Sequence, residues 1–336
     1  MTSPPPIREP FHVPLAHVVR DGLIEGVHHG SVVVLAADGH VLFQAGDSNA
    51  AIYPRSALKP LQAVGMLRAG LDLDDPALAL SAASHSGERF HLTGVSRILR
   101  GAGLTEGHLR NVPDLPFDPE VRSRWLARGR TASRLAQNCS GKHAAMLATA
   151  RLRGWPLDDY HRPDHPVQQA ITATVEDLTG RPVARTTVDG CGAPLLSVSL
   201  LGLTRAFSRI ASAKPGSRER RVADAVRAHP QMVAGSRRDV TRLMQAVPGL
   251  LAKDGFEAVQ VAALPDGRAI GVKIADGSDR ARMPVAAAAL AISGVDPAAL
   301  APFMGAAVYG GGAVVGEVRP CGALALRAAD ALTAAA

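Results

Sequence analysis

The chain has 336 residues, 37 basic and 30 acidic side chains, a formal net charge of +7, 47% hydrophobic and 20% charged residues, and a mean hydropathy of +0.08. Such a composition can bury a sizeable core, and it excludes a fibre, a coiled coil or a long disordered tail. The sequence pI of about 9.8 invites a nucleic-acid partner, but aromatic residues make up only 4% and the basic residues are scattered, so stacking platforms are scarce and no such partner is expected.

After a proline-rich start, Ser31–Ala45 carries two β-branched apolar runs around Asp38-Gly39, a hairpin signal. Apolar residues at helical spacing then mark Ala57–Ala69, Leu92–Gly101, Lys142–Arg153, Pro166–Leu178, Leu195–Ile210, Ser217–His229 and Asp239–Gln245. A second hairpin is expected over Ala258–Lys273 with Pro265-Asp266-Gly267 at its turn, and a third strand pair around Gly310–Gly312, between Ala306 and Val318. Strands thus collect at both ends and helices in the middle. Parallel pairing would demand alternating crossovers, so the expected class is α/β, an antiparallel sheet formed by N- and C-terminal hairpins and flanked by helices. No repeat or linker divides the chain, which reads as a single domain over 1–336 with 1–12 and 325–336 as loose ends.

No apolar run reaches the roughly 20 residues of a membrane span, and the first ten residues lack a signal peptide's apolar core. Three cysteines, Cys139, Cys191 and Cys321, are too few for a disulfide framework and suit a reducing compartment. The expectation is a cytoplasmic protein without membrane contact.

Only five of the basic residues are lysines: Lys59, Lys142, Lys214, Lys253 and Lys273. In a chain that uses arginine wherever charge alone suffices, a lysine marks a place for a compact or deprotonatable amine. Ser56-Ala57-Leu58-Lys59 opens a helical pattern, which puts hydroxyl and amine on one face, one turn apart, where a neutral amine can take the hydroxyl proton. An N-cap serine beside an incidental lysine fits the same pattern. Ser84-His85-Ser86-Gly87-Glu88 reads as a site-lining loop or as a turn with its own hydrogen bonds. Asn138-Cys139-Ser140-Gly141-Lys142-His143, together with Asp189-Gly190-Cys191-Gly192, offers two thiolates and an amine to a metal with an open position, or two unconnected buried thiols. Lys253-Asp254-Gly255 and Lys273 flank the second hairpin as further amines or as charged loop residues.

The motifs PRSALKPLQA, ASHSGE, NCSGKHAAML, DGCGAP, HPQMVAG and AKDGFEAV occur in the order found in the asparaginase II family, the inducible asparaginases of the Rhizobium etli type, and the chain resembles that family from about Arg20 to Pro320. The resemblance implies a serine β-lactamase and glutaminase-like fold and hydrolysis of L-asparagine to L-aspartate and ammonia. It pairs Ser56 with Lys59 and Ser84 with Lys253, with Lys273 as the fallback for the second amine because Phe256 and Ala258 depart from the usual K-x-G-A-E-G. It also implies zinc on Cys139, Lys142 and Cys191, substrate contacts from His143 and Asp189, and a homodimer. Two other readings share these residues. A β-lactamase or penicillin-binding enzyme would use the same Ser-x-x-Lys, but no lysine here is followed by Thr-Gly or Ser-Gly. A non-catalytic zinc-binding protein on the same scaffold would release no ammonia.

Overall fold

The computed structural model describes residues 9–334. An eight-stranded sheet, antiparallel at every pairing, forms its centre. The strand order is Ala306–Gly310, Ala313–Pro320, Val13–Arg20, Leu23–Leu35, Ala269–Ile274, Val259–Ala263, Leu251–Gly255, and Val41–Ala45 pairs with the upper part of Leu23–Leu35. The N-terminal strands therefore sit between the two C-terminal groups. That placement closes the chain's ends into one layer, with Val32, Val33, Val34 and Leu35 all buried at its middle. The α/β class and the three hairpins match the sequence reading.

Helices Leu200–Ala211 and Asp279–Ile292 both pack on the central strands. Ser199 starts the first of these by accepting from Gly202 N–H. The expected helix over Leu195–Ile210 therefore begins five residues late, because Pro194–Leu196 and Val198–Ser199 are short strands. Further helices cover Lys59–Arg68, Asp75–Ser81, Arg89–Gly101, Ser140–Leu152 and Pro166–Thr179, and pack on one another through buried Leu61, Leu78, Val95, Leu147 and Ile171.

Three regions differ from the sequence reading. Residues 325–334, expected to be loose, belong to the helix Gly322–Ala334, and Leu324 and Ala328 are buried beside the Asp279–Ile292 helix. The expected loose stretch 1–12 lies outside the described residues as far as residue 8, and residues 9–12 carry no regular element. Lys253 and Asp254, which the sequence leaves open as a further amine or as charged loop residues, lie within the fully buried strand Leu251–Gly255. Among the described residues no helix is long and apolar enough to cross a membrane.

Candidate active site

Ser56 lies in a single 3-10 turn, Arg55–Leu58, that runs into the helix Lys59–Arg68. Ala57 and Leu58 anchor the turn in the core, while Ser56 stays half-buried. Proline at 60 needs no N–H in the first helical turn and presets its backbone. The edge strand Leu251–Gly255 runs directly beside this turn. A methyl group on Gly255 would come within 2.2 Å of the Pro54 carbonyl oxygen, so only glycine allows the approach.

Lys59 is buried, and its ammonium donates to the Ala83 carbonyl at 2.5 Å, to Ser84 Oγ at 2.9 Å and to Cys139 Sγ at 3.1 Å. Ser84 is thus paired with Lys59. The Ser56 hydroxyl has no hydrogen bond among the described residues. Ser84 is held by its own backbone: Ser84 N–H donates to Val233 O, His85 N–H to Asn138 O and Ser86 N–H to Ala234 O. The Ser140 hydroxyl donates to Leu135 O and therefore accepts from His85 Nε2, while His85 Nδ1 accepts from Gly87 N–H. This neutral ring locks the loop to the Ser140–Leu152 helix, and burial, with His91 and Lys59 adding to it, holds its pKa well below the ordinary histidine value.

Lys253 is fully buried and donates to the Asp254 carbonyl at 2.8 Å and carboxylate at 2.5 Å. Burial pushes its ammonium down to about 8, with Lys59 adding to the effect and Asp254 opposing it. Lys273 reaches elsewhere, donating to the carbonyls of Glu257 and Ile274 at 2.6 and 2.9 Å. It braces a turn rather than serving a serine.

Behind Ser84 lies a sulfur-rich cluster. Cys139 and Cys191 are buried together against Ala193, and Lys142 Nζ is 3.4 Å from Cys191 Sγ. Gly141 lets this helix start close in, since a methyl group there would lie 2.4 Å from Leu80 O. The neighbouring Cys139 thiol, then the Lys142 charge, holds the Cys191 thiol well below its usual pKa against the opposing effect of burial, while Cys191 and burial push Cys139 up to about 12; the Cys139 thiol itself donates to Asn138 Oδ1 at 3.1 Å. Among the described residues no three His, Cys, Asp or Glu side chains converge on one point, so a metal here needs the lysine as third ligand. Two sulfurs and one amine are a donor set that fits a soft-to-borderline divalent ion such as zinc once Lys142 gives up the proton that the two cysteines and Asp189 hold on it.

His143 is fully buried in this cluster's wall. The Tyr160 hydroxyl accepts from Arg110 N–H at 2.9 Å and donates to His143 Nδ1 at 2.8 Å, which leaves His143 Nε2 without a partner. Asp189 is engaged by Arg55, whose Nε donates to Oδ1 at 2.8 Å, and by its neighbouring Gly190 N–H. Burial acts to raise the Asp189 pKa, but Lys142 and Arg55 outweigh it and bring it below the ordinary carboxylate value.

A cavity of about 250 Å³ opens where these elements meet, lined by Ser56, Ser84, Asn138 and Arg238, and by the turn Asp254–Ala258. Wider grooves of about 720 and 520 Å³, beside Trp125 and Leu152, hold no serine or cysteine. Both predicted serines share the cavity. Lys59 and Lys253 stand behind its wall, bonded to the liners Ser84 and Asp254, and Cys139, Lys142, Cys191, His143 and Asp189 do not line it either. Sequence reasoning assigned no role to five polar liners, Asn138, Arg238, Asp254, Glu257 and Asp279. Asn138 Oδ1 accepts from Gln137 Nε2 at 3.1 Å, which leaves the amide nitrogen for a developing oxyanion. Arg238 pairs with Asp254 and stacks over Phe117 at 4.7 Å, and its Nη1 has no partner. Asn138 begins the Asn138–His143 motif and was in plain view. Arg238 falls in none of the motifs, and Asp254 stands in one only as the neighbour of Lys253.

The sequence model described as L-asparaginase II matches residues 16–320. No curated protein matches the chain. Among solved structures, a β-lactamase from Mycobacterium bovis is 15% identical over 74% of this chain and 88% of its own, with a TM-score of 0.40. Mglu in its tris and glutamate form is 16% identical over 82% of this chain and 61% of its own, with a TM-score of 0.33. The architecture given above stands on this chain's own strand pairing.

Proposed function

The chain belongs to the L-asparaginase II family, a family of amidohydrolases, and from that premise we propose that it hydrolyses the side-chain amide of L-asparagine to L-aspartate and ammonia. The observation that carries the reading is the convergence of Ser56 and Ser84 on one small cavity, with the Lys59 amine hydrogen-bonded to Ser84. An amide is a poor electrophile, so its hydrolysis needs an activated nucleophile, an oxyanion site and protonation of the departing nitrogen.

In this proposal Ser56 Oγ attacks the carboxamide carbon, and its proton passes through Ser84 to the amine of Lys59. Lys59 must then be neutral at the moment of attack, with Lys253, whose pKa lies near 8, as the second store for the proton. The Asn138 amide nitrogen faces the oxyanion. The tetrahedral intermediate collapses as the lysine proton returns to the leaving nitrogen, ammonia departs, and water resolves the ester on Ser56 by the same proton path. Arg238 would take the substrate's α-carboxylate. Glu257 and Asp279, which also line the cavity, are placed to take its α-ammonium group, because Asp189 is already held by Arg55. Cys139, Lys142 and Cys191 would hold zinc. Bound there, the ion would supply a fixed positive charge to orient the substrate and stiffen the Ser84 wall.

The test is ammonia release from L-asparagine. Ser56→Ala should lower kcat by about 10³-fold or more, and near-normal turnover by that variant sinks the nucleophile assignment. The Ser84–Lys59 hydrogen bond favours one second reading, in which Ser84 attacks and Ser56 relays. Mass spectrometry of a trapped acyl-enzyme decides between them by the serine that carries the adduct.

A further inference from the structure

Resting on the asparagine reading above, we propose that Phe256 is the residue that sets the length of the amide substrate, by standing fixed across the outer end of the Ser56 cavity. Phe256 lines that cavity and is 60% exposed, so its ring stands at the cavity's solvent side. It sits at the tip of the hairpin between Leu251–Gly255 and Val259–Ala263, and the two residues after it, Glu257 and Ala258, have left-handed φ values of +64° and +53°. Non-glycine residues adopt that conformation rarely, and it persists only when the surroundings impose it. Here Lys273 donates to the Glu257 carbonyl at 2.6 Å, and Ile274 N–H donates to the Ala258 carbonyl at 3.1 Å. The turn is therefore clamped in the shape that points its neighbour into the cavity.

The ring is clamped as well. The Arg55 guanidinium lies 5.3 Å from its centroid, and Asp189 holds that guanidinium at 2.8 Å. Arg55 itself has a left-handed φ of +52° and immediately precedes Ser56, so the cation that fixes the ring is built into the same turn as the nucleophile. Phe117, stacked under Arg238, forms part of the same lining. When the carboxamide carbon is placed at Ser56, one end of the substrate is fixed, and each added methylene moves the amino-acid head outward. In a cavity of about 250 Å³ that head meets Phe256.

The experiment measures kcat/KM for ammonia release from L-asparagine and L-glutamine with the wild-type protein, Phe256→Ala and Phe256→Leu. The glutamine-to-asparagine ratio should rise by about tenfold or more in Phe256→Ala, the order expected for one methylene, and by less in Phe256→Leu, with asparagine turnover changed only a few-fold. A ratio that stays the same in Phe256→Ala, whatever happens to the absolute rates, overturns the inference and leaves the asparagine reading standing. A wild-type protein that already uses the two amides equally also overturns it. A wild-type protein that releases ammonia from neither amide overturns the asparagine reading and this inference with it.

Discussion

Two lysine-bearing regions meet at Ser84. On one side is the cavity, half-open, walled by hydroxyls, an amide and a guanidinium, with its nearest low-pKa amine, Lys253, held by Asp254. On the other is the closed cluster of Cys139, Lys142 and Cys191, where the lysine charge is raised above its ordinary pKa by both cysteines and Asp189 in spite of burial. The same side-chain type is pushed in opposite directions, because at Lys253 burial outweighs the Asp254 carboxylate, with Lys59 adding to it, whereas at Lys142 the two cysteines and Asp189 outweigh burial. Lys59 touches both regions, donating to Ser84 and to Cys139. The difference teaches that the lysines divide the labour: one region moves protons, the other keeps its charge until a bound metal would displace the Lys142 proton.

The largest test of that division is Lys59, because its amine spans the boundary. Lys59→Met should lower kcat on the order of 10³-fold, and Lys59→Arg should not restore it, since a guanidinium stays protonated. Retained activity in Lys59→Arg breaks the comparison by showing that the residue supplies only charge. Next comes the closed side. Cys191→Ser should reduce bound zinc, measured by plasma emission spectroscopy, by more than about tenfold while the purified protein stays folded by circular dichroism. Equal zinc content in the variant and the wild type removes the metal from this cluster.

The open side makes a pH prediction. A Lys253 amine that takes up a proton must be unprotonated, so kcat/KM should climb as pH rises through about 8 and level off above it. Lys253→Gln should remove that limb, and a wild-type profile flat from pH 7 to 9 assigns the proton store to another group. The smallest effect concerns the loop behind Ser84. His91 stacks on His85 at 5.0 Å, and burial holds its pKa down at about 4, so between that value and the unfolded pKa near 6.5 the folded state binds fewer protons. Stability should therefore fall by roughly 3 kcal/mol per such histidine as pH drops through that window. Urea midpoints at pH 7 and 4.5 measure the fall, and His91→Gln should make it shallower.

Much of this was legible in the sequence, for identifiable reasons. Asp38-Gly39 and Pro265-Asp266-Gly267 are turn signals that need no tertiary context, and both hairpins formed where they were expected. Ser56 and Ser84 were legible as chemistry because hydroxyls beside lysine or histidine stand out in a chain that favours arginine. Their partners were not. The Ser-x-x-Lys spacing puts Lys59 on the same side of the turn as Ser56, but the amine's three donors are taken by groups distant in sequence: Ala83, Ser84 and Cys139. Nor was the strand Leu251–Gly255 legible. Lysine and aspartate side by side give no strand signal, yet the two neutralise each other inside the sheet, and Arg238 completes the arrangement from 16 residues upstream. Pairwise charge compensation between distant segments leaves no periodic trace.

Gly255 carries a consequence for how this chain can drift over generations. Its missing side chain is what lets a sheet edge lean on the turn that presents Ser56. An alanine at that position would leave every reactive group intact and on its proper element, yet would wedge the two supports apart. A comparison of descendants that scores only hydroxyls, amines and thiols would pass such a protein as intact, and one atom of packing would decide whether it still works.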